Sequence, residues 1–200
     1  LQLPGDKSIS HRAIMLSAIA DGVSYVKNLN DGADLQSTIN ILRDCGASID
    51  HKEDELVING KKLHSPSKDL DCGNSGTTTR LVAGLLASQK LTFSLIGDES
   101  LSKRPMKRIA NPLKKMNARI ETTNGSMPLL IKGSKLKSCK IDIEIPSAQI
   151  KSGILLASLN TDGETIISED KITRDHTEIM LDSFGANINV KKIGNKKILK

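Results

Sequence analysis

The pattern of hydrophobic and polar positions divides this chain into three successive stretches with the same order of expected elements. Each stretch has a run of small and aliphatic residues, which predicts a buried helix, and then a short β-like run. An amphipathic helix and two more strand-like runs follow, and a further short strand is expected to lead in. The buried-helix runs are AIMLSAIA, LVAGLLAS and SGILLASL, and the β-like runs are VSYVKNL, LTFSLIGD and ETIISED.

The second helix of each stretch ends in a similar segment, LRDCGASI, LKKMNARI or LDSFGANI. Gly46, Asn117 and Gly185 stand at equivalent places in these segments. Because glycine and asparagine tolerate a positive φ, each is predicted to cap its helix in the left-handed conformation. Asn124-Gly125 divides the last two strand-like runs of the second stretch and predicts a β-hairpin.

The repetition predicts a mixed α/β fold in which three pseudo-equivalent units form one domain over residues 1–200. The unit boundaries are expected near 1–70, 71–142 and 143–200. A single unit cannot bury its own apolar helix, so the units must pack against one another. The first helices are therefore expected inside. The second helices, which are amphipathic as at Leu35, Ile39 and Leu42, are expected outside.

Composition and charge narrow the possible partners. The 200 residues include no Trp, one Tyr and two Phe, which weakens any interpretation in which nucleic-acid bases stack on aromatic rings. The net charge of +6 leaves two interpretations open, a lysine-rich surface and an anionic partner. Several lysines near the C-terminus are expected to guard a strand edge rather than to bind DNA. They are Lys191, Lys192, Lys196, Lys197 and Lys200.

The sequence shows no targeting or membrane-spanning segment. No apolar run approaches the ~18 residues of a membrane span, and no signal peptide is visible. Cys45, Cys72 and Cys139 are odd in number and lack CxxC spacing, so they are expected to be reduced thiols of a cytoplasmic protein. Because the chain begins at Leu1 rather than Met, it is expected to be a fragment of a longer product.

The starts of the three buried helices share a polar chemistry. Each begins with a serine, at Ser8, Ser75 or Ser147, which is expected to accept a hydrogen bond from a free backbone N–H. A basic residue follows in each helix: Arg12, Arg80 and Lys151. A helix N-terminus carries a partial positive charge and binds anions, and arginine suits bidentate contact with phosphate or carboxylate. If the three starts converge, they form a pocket for such groups.

Arg104 and Arg174 have the spacing to point at the same region. Pro105, which follows Arg104, is expected at the first position of a helix. The competing interpretation is that an isolated arginine lies at the surface or in a salt bridge. GNSGTT is not a P-loop, because GxxxxGK[ST] is absent. His11 and His176 are expected to be structural rather than metal ligands, since no partner stands at ligand spacing.

Five ordered segments carry a family resemblance over essentially the whole chain. They are PGDKSISHR at 4–12, GNSGTTTRL at 73–81, GDESLSKRPM at 97–106, IPSAQIKS at 145–152 and TRDHTE at 173–178. Together they resemble the signatures of the 5-enolpyruvylshikimate-3-phosphate synthase family (3-phosphoshikimate 1-carboxyvinyltransferases). The sister family of UDP-N-acetylglucosamine enolpyruvyltransferases shares the fold but lacks the PGDKSISHR form.

The resemblance implies an α/β (α+β) fold of three βαβαββ repeats around a pseudo-threefold axis. Family enzymes contain two such domains, so the chain is expected to be the N-terminal half. The family moves the enolpyruvyl group of phosphoenolpyruvate to the 5-hydroxyl of shikimate 3-phosphate, through a tetrahedral intermediate and with release of phosphate. This reaction belongs to the biosynthesis of chorismate and the aromatic amino acids, and it uses no metal and no organic cofactor.

The resemblance also implies two substrate sites, carried over by motif. The residues expected to bind shikimate 3-phosphate are Lys7, Ser8, Arg12, Ser147, Ala148, Gln149 and Arg174. The residues expected to bind phosphoenolpyruvate are Lys7, Gly76, Arg104 and Gln149. In the family, glyphosate occupies the phosphoenolpyruvate site, and a side chain at the position of Gly76 crowds it.

The family's proton-abstracting Asp lies in the other domain, so no catalytic residue is expected here and the isolated chain is expected to be inactive. The expected state is a monomer that packs against its own second domain, without a nucleic-acid or membrane partner. Two other functions stay open. One is a stand-alone phosphate-binding or scaffold module of this fold without catalysis. The other is nucleic-acid binding through the same fold, which the scarce aromatic residues disfavour.

Overall fold

Each of the three stretches builds its own β-sheet in the computed structural model, which describes residues 5–200. The strands of the first sheet are β1 (Gly22–Lys27), β2 (Ser48–Lys52) and β3 (Glu55–Gly60), in the order β1-β3-β2. Those of the second are β4 (Leu70–Asp71), β5 (Thr92–Ile96), β6 (Arg119–Thr123) and β7 (Ser126–Lys132), in the order β4-β5-β7-β6. Those of the third are β8 (Lys140–Ile143), β9 (Ile166–Glu169), β10 (Val190–Ile193) and β11 (Lys196–Leu199), in the order β10-β11-β9-β8.

Short leading strands open the second and third sheets, as the sequence predicted. β4 pairs in parallel with β5, and β8 pairs in parallel with β9, whereas the other pairings between the strands named for residues 5–200 are antiparallel. The leading strand expected for the first stretch falls on residues outside the described range. The mixed α/β class is therefore confirmed, and the pseudo-threefold axis stays a prediction.

The helices occur in two kinds. The apolar ones are α1 (Lys7–Ile19), α3 (Gly76–Ala87) and α6 (Ala148–Ser158). The others are α2 (Ala33–Asp44), α4 (Glu99–Ser102), α5 (Lys107–Lys115) and α7 (His176–Ser183). Most of α1, α3 and α6 is buried, whereas α2 buries one face through residues such as Leu35, Ile39 and Leu42. This distribution agrees with the inner and outer positions expected of the two kinds.

The inner helices approach one another closely enough to require glycine. A Cβ on Gly84 of α3 would lie 1.9 Å from the carbonyl oxygen of Gly153 in α6. A Cβ on Gly153 would in turn lie 2.6 Å from the carbonyl oxygen of Arg80. α1 packs against α3 and α7, and α3 packs against α6.

The predicted turns are confirmed by their backbone angles. Gly46, Asn117 and Gly185 have φ of 94°, 72° and 84°, as left-handed helix caps require. Asn124 and Gly125 have φ of 53° and 83° and join β6 to β7 as a hairpin.

Two expectations about local structure are wrong. Pro105 does not open a helix, because a short extra helix, α4, precedes it and α5 begins only at Lys107. Lys197 is not part of a solvated strand edge. β10 forms that edge, and the Lys197 side chain on β11 turns inward to Glu178. No helix within residues 5–200 has the length and hydropathy needed to cross a bilayer.

Candidate functional site

A cavity of about 190 Å³ lies where the starts of α1, α3 and α6 meet the segment before α7. We call it the basic cavity. Its lining residues are Lys7, Ser8, Arg12, Thr77, Ala148, Gln149, Arg174 and His176. None of these residues is acidic, so the cavity carries a positive charge and suits an anionic ligand.

The start of α1 differs from the sequence prediction in one respect. Asp6, rather than Ser8, is the N-cap, and its side chain accepts a hydrogen bond from the Ile9 backbone N–H across 2.8 Å. Ser8 lies inside the first turn and lines the basic cavity. The Lys7 ammonium is 2.9 Å from the Asp34 carboxylate, but its side chain is half exposed. Such a solvated pair is weak, so Lys7 is available to a stronger anion.

Arg12 is the most firmly held cation of the basic cavity. Its Nη1 donates to the Ser8 carbonyl oxygen across 2.7 Å, its Nη2 donates to the Ser152 hydroxyl across 2.6 Å, and its Nε donates to the Thr177 hydroxyl. Burial lowers the pKa of Arg12 to about 10, with Glu178 opposing and Arg174 reinforcing that shift. The guanidinium therefore stays charged at neutral pH while its partners carry no charge.

The amide of Gln149 is oriented by two neighbours. Its Nε2 donates to the Thr77 hydroxyl across 2.9 Å, and its Oε1 accepts from Arg80 Nη1 across 3.0 Å. Arg80 Nη1 also donates to the carbonyl oxygen of Gly76. Burial lowers the pKa of Arg80, and the charges of Arg104 and Arg108 act in the same direction.

A second group of residues adjoins the basic cavity through Arg80. We call Gly76, Arg80 and Arg104 the arginine shelf. A Cβ on Gly76 would lie 2.5 Å from Arg80 Nη1 and 3.3 Å from Arg104 Nη1, so both guanidinium groups lie over this glycine. Arg104 donates to the Asn74 side-chain oxygen. The shelf therefore offers two cations and close access to the helix backbone beside Gln149.

Most of the residues expected at the site are brought together. Lys7, Ser8, Arg12, Ala148, Gln149 and Arg174 line the basic cavity, and Gly76 and Arg104 lie in the arginine shelf. Ser147 is the N-cap of α6, where its hydroxyl accepts from the Ile150 N–H, and it is not among the lining residues.

The expectation that Lys151 serves the same pocket is wrong. Its side chain is fully buried, with Nζ 2.8 Å from carboxylate oxygens of both Glu169 and Glu178. Lys197 Nζ lies 2.7 Å from the same Glu178 oxygen. We call these four residues the ion-pair cluster. It neutralises Lys151 within the fold, so this lysine cannot attract a ligand.

Sequence reasoning missed Thr77 and His176 as lining residues. Each belongs to a segment that carries the family resemblance, GNSGTTTRL or TRDHTE, so position within a motif is the signal that the sequence offers. His176 Nδ1 is buried 3.9 Å from Asp6 Oδ1 and has no hydrogen-bond partner within residues 5–200. His11, by contrast, faces the interior, where its Nδ1 pairs with Thr38 across 2.8 Å and burial lowers its pKa to about 4.

Comparison with known proteins gives one consistent result. The family model for EPSP synthase (3-phosphoshikimate 1-carboxyvinyltransferase) matches residues 1–199. A 3-phosphoshikimate 1-carboxyvinyltransferase of Ruthia magnifica is 50% identical over 196 residues, which are 96% of this chain and 45% of that protein. One of Alkaliphilus metalliredigens is 52% identical over 194 residues, which are 94% of this chain and 46% of that protein.

A solved structure agrees with the sequence comparisons. EPSP synthase from Acinetobacter baumannii superimposes with a TM-score of 0.92 at 47% identity, covering 100% of this chain and 46% of that one. The chain thus spans a little under half the length of the relatives that it matches, as expected for the half of an enzyme with two domains.

Proposed function

Since this chain belongs to the EPSP synthase (3-phosphoshikimate 1-carboxyvinyltransferase) family, we propose that it is the substrate-binding domain of such an enzyme. The basic cavity binds shikimate 3-phosphate, and the arginine shelf with Lys7 and Gln149 binds phosphoenolpyruvate. The single observation that carries this proposal is the convergence of Lys7, Arg12 and Arg174 on one cavity whose lining residues include no carboxylate.

The charges of the basic cavity fit a phosphate ester. Arg12 and Arg174 are suited to paired hydrogen bonds with phosphate oxygens, and Lys7 adds a mobile charge at the rim. The Gln149 amide and the Ser8 hydroxyl can bond to the hydroxyl groups of a polyol ring. In this assignment the phosphate lies over Arg12 and the ring lies toward Gln149, whose amide is already oriented by Thr77 and Arg80.

The arginine shelf fits a second, smaller anion beside the first. Arg104 supplies a guanidinium, and Gly76 permits approach to the first turn of α3, where free backbone N–H groups favour an anion. Because Arg80 bonds to both Gly76 and Gln149, the two anions would be held on either side of one hydrogen-bonded unit. In this assignment the enolpyruvyl group of the smaller anion would lie next to the acceptor ring.

We propose that this chain binds but does not turn over its substrates. Proton transfer and closure around phosphoenolpyruvate are assigned to the second domain of the family, because electrostatic stabilisation needs both walls of a cleft and exclusion of water. We further propose that residues 5–200 form one domain of three repeats. The shared order of helices and strands in the three stretches supports this.

The experiment is calorimetric titration of the purified chain with shikimate 3-phosphate, shikimate and inorganic phosphate. The proposal predicts binding of the phosphate ester that is tighter than binding of either part. Equal affinity for the ester and for free phosphate would favour the stand-alone phosphate-binding module instead. Release of phosphate from both substrates by the chain alone would contradict the assignment of the chemistry to the second domain of the family.

A further inference from the structure

The guanidinium of Arg12 rests on two hydroxyl groups that come from different helices. Nε donates to Thr177 of α7, and Nη2 donates to Ser152 of α6 across 2.6 Å. The two hydroxyl oxygens lie 2.6 Å from each other. All three side chains are buried, so these hydrogen bonds are shielded from competing water.

The direction of every hydrogen bond in this group is fixed by counting protons. A guanidinium only donates, so both hydroxyl oxygens accept from Arg12. The Ser152 proton goes to the carbonyl oxygen of Ala148, 2.6 Å away, because a carbonyl only accepts. The Thr177 proton must therefore go to Ser152. The chain of bonds runs from Thr177 through Ser152 to Ala148, which lines the basic cavity.

The backbone behind these hydroxyls is held by the ion-pair cluster. Lys151 precedes Ser152, Glu178 follows Thr177, and their charged groups lie 2.8 Å apart. α6 and α7 are thus joined twice in adjacent positions, once by an ion pair and once by the hydroxyl pair. Neither hydroxyl can shift easily away from Arg12.

We propose that Thr177 and Ser152 are positioning residues for anion binding, and that they act through Arg12. Together with the Ser8 carbonyl oxygen, they fix three donors of the guanidinium and leave the second N–H of each terminal nitrogen for a ligand in the basic cavity. An arginine fixed before the ligand arrives loses less conformational entropy on binding. Because hydroxyls are neutral, they orient the cation and leave its charge intact. A carboxylate in their place would neutralise it. This inference rests on the proposed function, which supplies the ligand.

The test uses the isosteric variant Thr177→Val, which removes the acceptor and keeps the volume, and Thr177→Ser, which restores the hydroxyl. Thr165→Val is the matched control. Thr165 is also buried, but its hydroxyl has no hydrogen-bond partner within residues 5–200 and lies outside the basic cavity. The readouts are the calorimetric affinity for shikimate 3-phosphate and the NMR signal and solvent exchange of the Arg12 Nε–H.

We expect Thr177→Val to weaken binding about tenfold and to speed exchange of the Arg12 Nε–H, as loss of a hydrogen bond to a charged group does. In Thr177→Ser and Thr165→Val, the affinity for shikimate 3-phosphate and the exchange rate of the Arg12 Nε–H should both stay within about twofold of the values for the parent chain. If Thr177→Val folds poorly, Ser152→Ala removes the other acceptor and carries the same expectation.

Unchanged affinity in Thr177→Val and Ser152→Ala, in a parent chain that binds shikimate 3-phosphate, would overturn the positioning role and leave the proposed function intact. If the parent chain binds only inorganic phosphate, the proposed substrate is wrong. The same comparison made with phosphate then decides the positioning role. Binding of neither anion would overturn both.

Discussion

The ion-pair cluster and the basic cavity are neighbours that treat buried cations in opposite ways. In the cluster, Lys151 and Lys197 each face a carboxylate, and Glu178 is shared between them. In the basic cavity, Arg12 is almost as deeply buried, yet its direct partners are two hydroxyls and a carbonyl. The two arrangements stand side by side along α6 and α7.

The difference between the two regions is the charge of the partner. A buried cation opposite a carboxylate is neutralised within the fold, and it serves the packing of the third sheet against α6 and α7. A buried cation opposite neutral groups keeps its charge and lowers its free energy further when an anion arrives. Changes in the cluster should therefore affect mainly stability, and changes in the cavity mainly binding.

The largest expected effect is on the stability of Glu178→Gln. This variant leaves Lys151 and Lys197 with Glu169 as the remaining carboxylate of the cluster, so one buried lysine charge is uncompensated. We expect the free energy of unfolding to fall by about 3–5 kcal/mol, measured by urea denaturation. Glu164→Gln is the control, since its pair with Lys200 is exposed and should contribute less than about 1 kcal/mol. Equal losses of unfolding free energy in Glu178→Gln and Glu164→Gln would show that the buried ion-pair cluster contributes no more to stability than an exposed pair.

The next largest effect is the pH dependence of stability caused by His11. This buried residue precedes Arg12 in α1 but, unlike Arg12, is neutral at pH 7. Burial lowers its pKa from 6.5 to about 4, so the unfolded chain binds a proton between these values and the folded chain does not. Stability should therefore fall as the pH drops through this window, with His11 accounting for about 3 kcal/mol at pH 4. Urea denaturation at pH 7 and pH 4 should show a smaller difference in His11→Gln than in the parent chain. His51→Gln, at an exposed position on β2, should keep the full difference.

A third effect should appear in binding alone. Arg174 is exposed at the rim of the basic cavity. Arg174→Gln should change the free energy of unfolding by less than about 0.5 kcal/mol. It should weaken calorimetric binding of shikimate 3-phosphate by about 1.5–3 kcal/mol, as expected for hydrogen bonds to a charged group. Arg119→Gln, on the exposed face of β6, removes the same charge and should change neither quantity. A stability loss without a binding loss would reverse the roles assigned to the two regions.

The smallest effect is expected for Gly76→Ala in the arginine shelf. The added Cβ meets the ends of Arg80 and Arg104, which can move, so stability should change by less than about 1 kcal/mol. Displacement of Arg80 should shift the NMR signals of the Gln149 side-chain amide. Gly84→Ala is the contrasting variant, because its Cβ would meet the backbone of Gly153 at 1.9 Å and should destabilise the fold strongly. Unchanged NMR signals of the Gln149 side-chain amide in Gly76→Ala would contradict the claim that Arg80 couples the arginine shelf to the basic cavity.

The parts of this structure that follow local rules could be predicted from the sequence. The inner helices follow from apolar runs, and the caps at Gly46, Asn117 and Gly185 follow from residues that tolerate positive φ. The gathering of Arg12, Gln149 and Arg174 agrees with expectation, because these residues lie in segments with a family resemblance.

The parts that depend on distant partners could not be predicted. Lys151 follows Ser147 at the same spacing as Arg12 follows Ser8, but Glu169 and Glu178 stand opposite Lys151 and hold it in the interior. Ser152 and Thr177 lie within the segments at 145–152 and 173–178, but nothing in the sequence shows that their hydroxyls meet at the Arg12 guanidinium. Asp6 replaced Ser8 as cap because two polar residues competed for one helix start, and local sequence does not decide between them.

Whether the basic cavity binds an anion is tested most directly by an NMR titration of the purified chain with shikimate 3-phosphate, following the backbone amides. A preformed anion site at the basic cavity predicts shifts clustered at Lys7, Ser8, Arg12, Gln149 and Arg174, because these residues line the cavity. It predicts none in the cleft of about 330 Å³ lined by residues of α5 and β8, which carries both acidic and basic side chains. No shifts at millimolar ligand in a folded chain, or shifts centred on that cleft, would contradict the claim that the basic cavity is a preformed anion site.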